Sequence, residues 1–226
     1  MLLNKVTYIL CYNGAWLFLL FMTIHSLATQ FTEQLQQTTI TEAVAVFFGI
    51  ASVVLASRNS VWLYPAGIIS TTLYLYIMTS VGLYAEALLN GYYLIMSIYG
   101  WVRWGINRED NNAAAISYCD IKDWVVTFSI VILGFSILCV VLSNYTDSDV
   151  PMADATVAAF AWAGMWLLAK HKIENWILLN ISNAIAIPLL IHKGIPLTAL
   201  LTVILFIVAI SGYLGWRKLY YLQQEP

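Results

Sequence analysis

Apolar stretches broken by short polar ones run almost the whole length of this chain. A membrane-crossing helix needs about 20 mostly apolar residues. Eight segments meet or approach that length: 6–28, 41–57, 61–79, 83–104, 124–143, 154–170, 174–192 and 196–216. Several are separated by only three or four residues, room for a tight helical hairpin and little else. Residues 105–123 form the long connection, and Arg108, Glu109, Asp110, Asn111 and Asn112 predict that it is the main aqueous loop. The pattern predicts an all-α integral membrane protein with eight transmembrane helices.

The first segment has Lys5 ahead of its apolar run, as a secretory leader would. However, Val6 to Ile24 is 19 residues, longer than the usual leader core of about 7–15. No clear small-x-small cleavage site follows, so it reads as a retained helix. The distribution of charge then orients the bundle, because cytoplasmic ends are enriched in Lys and Arg. With the N-terminus inside, Lys5, Arg58, Arg103, Arg108, Lys122, Lys170, Lys172, Arg217 and Lys218 all fall on the inner side. Lys193 falls outside, with Glu33, Glu42, Asp147, Asp149 and Asp154. Both termini are expected in the cytoplasm.

Composition agrees with the hydropathy pattern. Of 226 residues 61% are apolar and 10% charged, against roughly 25% charged in soluble domains. The balance of 10 Lys+Arg against 12 Asp+Glu argues against nucleic acid as a partner. Cys11, Cys119 and Cys139 lack metal or disulfide spacing and read as small hydrophobes.

The chain also resembles itself. Setting Trp62 against Trp176, an offset of 114, pairs Ile77 with Ile191, Leu83 with Leu197, Ala85 with Ala199, Ser97 with Ser211 and Tyr99 with Tyr213. One residue of slip brings Gly100-Trp101 onto Gly215-Trp216. Slip the other way brings Leu55-Ala56 onto Leu168-Ala169 and Val44-Ala45 onto Val157-Ala158. The predicted organisation is 1+3+1+3. It comprises an N-terminal helix in 1–40, a three-helix unit at 41–104, a loop and linker helix in 105–153, a second unit at 154–217 and a tail at 218–226. The odd helix count of each unit and the intervening linker make the two units parallel, a known transporter plan.

Polar groups at membrane depth are costly and suggest a pathway or site. In the second unit's central segment, Asn180 and Asn183 are three apart and share a helix face beside Trp176. Their amides suit a hydroxylated or amide ligand, although Asn also serves as interhelical glue. In the first unit Glu86, Asn90, Tyr93 and Ser97 make one stripe, with Asn90 and Tyr93 the deeper candidates. Glu86 is either solvated at the outer end or a gating group. Pro65 and Pro188 interrupt the two central segments and are candidates for gating kinks. Trp162 and Trp166, four apart, either sandwich an aromatic ring or face lipid. Trp101, Trp104 and Trp216 read as interfacial anchors.

The sequence carries no Walker A loop, HExxH, nucleophile elbow or CxxC. No catalytic residue, metal ligand or cofactor is expected. With almost no ionisable groups in the deep spans, facilitated diffusion is the simplest mechanism. A membrane receptor or assembly subunit that transports nothing is the competing class.

Three stretches carry a resemblance: Val61-Trp-Leu-Tyr-Pro-Ala-Gly-Ile-Ile-Ser, Leu83-Tyr-Ala-Glu with Ser97-Ile-Tyr-Gly-Trp, and Lys172-Ile-Glu-Asn-Trp-Ile. Together they resemble the PnuC family of nicotinamide riboside transporters, from about 41 to 218. The resemblance implies a SWEET-like fold, a homotrimer in the inner membrane, and passive uptake of a vitamin precursor that a cytoplasmic kinase traps by phosphorylation. It places substrate contacts at Asn90, Tyr93, Trp176, Asn180 and Asn183. The chain departs from the pattern in having Asn90 where many relatives have Gln, Asn183 where they have Asp, and apolar Leu200 and Leu201 where Gln is common. Loss of the Asp removes a charge suited to a cationic pyridinium, which keeps a related vitamin such as thiamine open as the cargo.

Overall fold

The computed structural model describes residue 22 and residues 25–80, 84–109, 115–146 and 148–224. Helix α1 covers 25–37 of these. It is followed by α2 (Ile40–Ser57), α3 (Leu63–Ser80), α4 (Tyr84–Glu109), α5 (Ile121–Tyr145), α6 (Pro151–Ala169), α7 (Asn175–His192) and α8 (Pro196–Leu222). No strand occurs among the described residues. The predicted span 6–28 falls largely outside them, and the described helix covers 25–37. The other predicted spans coincide with α2 to α8.

Among the described residues, five helices (α2, α5, α6, α7 and α8) are long and apolar enough to cross a membrane. Helices α3 and α4 have the length but carry more polar groups, Thr71, Thr72 and Thr79 in one and Asn90, Ser97 and Arg103 in the other. The 105–123 loop is shorter than its polarity suggests. Helix α4 continues to Glu109, and α5 starts at Ile121 behind a capping box in which Asp120 and Asp123 satisfy each other's backbone N–H groups.

Neighbouring helices pack in a closed sequence: α2 on α3, α3 on α4, α4 on α6, α6 on α7, α7 on α8, and α8 back on α2. Six helices thus form a ring, and α5 packs along α6. Small side chains set the closeness of these contacts. Tyr64 of α3 crosses α4 at Gly100, and Trp176 of α7 crosses α8 at Gly212, where an added Cβ would lie 2.7 Å from the indole.

Both crossings recur at a spacing of 112 residues, and so do other features. Ser70 Oγ donates to the Ala45 carbonyl at 2.8 Å, and Ser182 Oγ to the Val157 carbonyl at 2.8 Å. Tyr64 meets Trp104 edge-on, as Trp176 meets Trp216. Ser52 lies against Gly67, whereas the matching pair is reversed in size, with Gly164 against Leu179.

This register differs from the offset of 114 read from Trp62 and Trp176. Trp62 is 67% exposed and Trp176 fully buried, so they do not occupy equivalent places. Tyr64 takes the position of Trp176. The indole identity misled because burial at this crossing selects a large ring and not a particular one.

Candidate functional site

The α2–α3 and α6–α7 turns meet at one end of the ring. Each helix ends in the same way. The Asn59 N–H bonds the Ala56 carbonyl and the Ser60 N–H the Leu55 carbonyl, and His171 and Lys172 do the same to Leu168 and Leu167. This Schellman arrangement needs a left-handed residue just past the helix, normally Gly. Asn59 has φ of 54° and His171 of 59°, whereas the α7–α8 turn uses Gly194 at 69°.

Their side chains explain why these two turns forgo glycine. His171 Nε2 lies 3.1 Å from Asn59 Oδ1. The imidazole also stacks on Trp104, with centroids 3.3 Å apart and planes 17° from parallel. Trp216 tilts against the same imidazole at 5.6 Å, and its Nε1–H donates to the Ala56 carbonyl at 2.9 Å. Leu63, Tyr64, Ile173 and Trp176 complete a buried plug. Burial, and secondarily the Arg103 guanidinium, hold the His171 pKa down to about 3, so the ring is neutral.

The interfacial-anchor reading is therefore overturned for Trp104 and Trp216, which are 5% and 0% exposed, while Trp101 at 47% faces outward. Both corrected indoles are needed inside the plug, and hydropathy alone does not separate a helix-end Trp that points inward from one that points outward.

The second turn is further held by the α4–α5 connection. Asp123, buried at the start of α5, pairs with Lys170 at 2.7 Å and Lys172 at 2.8 Å. Ser117 bridges to Lys172 as a strand residue would, and the Cys119 N–H donates to Glu174 Oε1 at 2.8 Å. Burial and the Glu174 carboxylate push the Cys119 thiol up, keeping it protonated.

The predicted site residues are dispersed around this frame. Asn180 lines a shallow, open cavity of about 360 Å³ along α7 and α8, with Ile177, Ile181, Ala184, Phe206, Ile210 and Tyr213, of which Ile177, Ile181 and Ile210 are exposed. Its Oδ1 is buried without a hydrogen-bond partner. Asn183 is half-buried one turn further along α7 and does not line the cavity. Trp176 lies one turn before Asn180, fully buried in the plug, with its indole N–H unpartnered. Asn90 and Tyr93 are half-buried on α4, and α4 and α7 both flank α6. Glu86 belongs to α4, but its side chain lies outside the described residues.

Of the gating and stacking candidates, Pro65 falls in the first turn of α3. Its missing N–H has no helical partner there in any case, so it makes no kink. Pro188 does sit inside α7. Trp162 and Trp166 are half-buried, and each has a tyrosine of α4 against it. Tyr92 lies 4.9 Å from the Trp162 ring and donates to the Trp162 carbonyl at 3.0 Å, with Gly134 of α5 against the same indole. Tyr99 stacks on Trp166 at 6.2 Å.

Asn59, His171 and Asp123 were missed by sequence reasoning. The available signal was a basic residue followed by Asn or His directly after an apolar run, at Arg58-Asn59 and Lys170-His171.

A family model described as nicotinamide mononucleotide transporter matches residues 39–218. The nicotinamide riboside transporter PnuC of Escherichia coli K12 is 26% identical over 200 residues, covering 77% of this chain and 84% of that protein. The protein of the same name from Neisseria mucosa is 24% identical over 193 residues, covering 78% and 72%. A crystal structure of the vitamin B3 transporter PnuC superposes with a TM-score of 0.65 at 22% identity, covering 88% of this chain and 90% of that one. The family match spans most of the chain, and the helical ring has the fold of a solved member. The chain belongs to the PnuC family and is a multi-pass membrane transporter.

Proposed function

We propose that this chain mediates facilitated diffusion of nicotinamide riboside into the cytoplasm, where phosphorylation by a cytoplasmic kinase traps it. The observation that carries this reading is a family match over residues 39–218 on a chain whose six ringed helices repeat their contacts at a 112-residue spacing. The cargo passes along the ring between two parallel three-helix units, 41–104 and 154–217, preceded by 1–40 and joined through 105–153. The protein works as a homotrimer in the inner membrane with both termini cytoplasmic. Asn180, with an unpartnered buried oxygen, is the first polar contact for the ribose or carboxamide. Asn183, Asn90 and Tyr93 provide further contacts, with Trp176 closing the inner side. Uniport accords with where the ion pairs lie: Lys170 and Lys172 with Asp123 at one end of the helices, Lys193 with Asp154 at the other.

Purified protein in liposomes should take up labelled nicotinamide riboside without ATP or an ion gradient, and continue when protonophore is added. Asn180→Leu and Asn183→Leu should each lower uptake at least tenfold with little change in protein amount. Loss of uptake with protonophore would reject uniport, and full uptake in both variants would remove the two asparagines from the site. Binding without counterflow would favour a receptor instead.

A further inference from the structure

The two inner turns are alike in backbone and unlike in support. The Lys170–Glu174 turn is tied to the α4–α5 connection by the Ser117 bridge, the Cys119–Glu174 hydrogen bond and both lysine pairs to Asp123. Lys172 Nζ also donates to the Tyr118 carbonyl at 3.1 Å. The outer end of the same unit is tied as well. Ser148 Oγ donates to Asp154 at 2.6 Å, and His192 lies 3.2 Å from Asp149, both across from the end of α5. From α1, Gln34 donates to the Gly194 carbonyl at 3.0 Å and accepts from the Leu197 N–H at 3.1 Å. Several of these bonds are charge-assisted, the stronger kind.

Among the described residues, the Arg58–Ser60 turn has no ion pair and no hydrogen bond to 115–146. What holds it to the second unit is neutral: Asn59 to His171, the Trp216 Nε1–H to the Ala56 carbonyl, and the stack of Trp104 on His171. Trp104 stands on α4, in the first unit, and would travel with it. Asn59 and His171 also hold left-handed backbone without glycine, and such strain at a contact between two units fits a switch.

We propose that the two units move unequally during transport. The second unit, fixed to α1 and α5 at both ends, is the static half. The Arg58–Ser60 turn is the leaf that swings away from His171, carrying Trp104, to open the inner exit. This rests on the chain being a transporter whose cargo leaves along the ring; it goes beyond that reading by naming which half moves.

Hydrogen exchange on the full chain in lipid nanodiscs tests the asymmetry without any cargo. Backbone amides of 58–62 should exchange at least tenfold faster than those of 170–176, and equal or reversed rates would overturn the proposal. A second test uses disulfides in a background with Cys11, Cys119 and Cys139 replaced by Ser. Oxidising the pair Asn59→Cys and His171→Cys should cut nicotinamide riboside uptake at least tenfold, reversibly with reductant. Oxidising Ser117→Cys with Lys172→Cys should leave uptake within twofold. Uptake that survives the first crosslink, or is lost with the second, would also overturn it. A parent that takes up no nicotinamide riboside would defeat the cargo assignment, and the exchange comparison would still decide which half moves.

Discussion

Asn59 and His171 stand at the same place in two helix-end turns 112 residues apart, and their side chains meet at 3.1 Å. A residue and its repeat counterpart touch only where the relating axis passes between them, so this contact marks the centre of the ring. Neither position is glycine, although both backbones are left-handed. For an ordinary L-residue that conformation costs roughly 1–2 kcal/mol, less for Asn. The cost is met because each side chain helps close this end of the bundle.

The neutral state of His171 makes this closure sensitive to acid. Its folded pKa of about 3 lies below the ordinary 6.5, so between those values the unfolded chain binds a proton that the folded chain refuses. The contribution is therefore complete above pH 6.5 and is lost as pH falls toward 3. Thermal unfolding in detergent should drop by roughly a few degrees between pH 7 and pH 5. His171→Phe, which keeps a flat ring over Trp104, should flatten that slope. An unchanged slope would assign the acid sensitivity to other groups.

The helix crossing at Gly212 leaves no room for a methyl group. A Cβ there would sit 2.7 Å from the Trp176 ring, which is fully buried and braced edge-on by Trp216. Gly212→Ala should cost about 1–3 kcal/mol through overpacking. Gly91 on α4 has nothing within 4 Å of the same position. Gly91→Ala should be neutral or gain up to about 1 kcal/mol from helix propensity. Unfolding curves that move both variants in the same direction would contradict this packing.

Asp123 is 4% exposed and serves two lysines at once. Asp123→Asn leaves both ammonium groups short of their counter-charge. The lysines keep some access to water, so the loss should fall at or below the low end of buried-pair values, about 2–3 kcal/mol. Melting temperature measured at low and high salt should show a loss that salt barely changes. A change of under about 0.5 kcal/mol, or one erased by salt, would mean that the pair behaves as a surface contact.

Much of the fold was legible because bilayer thickness imposes a length that any reader of hydropathy can count. Seven predicted spans reappear as α2 to α8, since an apolar run of that length has no other way to satisfy its backbone. Asn180 stood out as a candidate for a related reason, as an amide in such a run is conspicuous. Trp104 and Trp216 were misplaced because a helix-end indole looks the same in sequence whether it faces lipid or a plug. For Trp162 and Trp166 the shared face was visible, but not that Tyr92 and Tyr99 lie against it.

The sequence by itself determined that the chain is a multi-helix membrane protein and where its helices run, since hydrophobic length and period are local properties. It also carried the repeat, though in the wrong register, because identity at single positions is a weaker guide than hydrogen-bond geometry. Only the tertiary structure decided that the repeat spacing is 112, that Asn59 meets His171, and that Asp123 holds the α6–α7 turn and not the α2–α3 turn. These depend on residues brought together from distant segments, and no periodicity within one helix specifies which distant side chain will complete a contact.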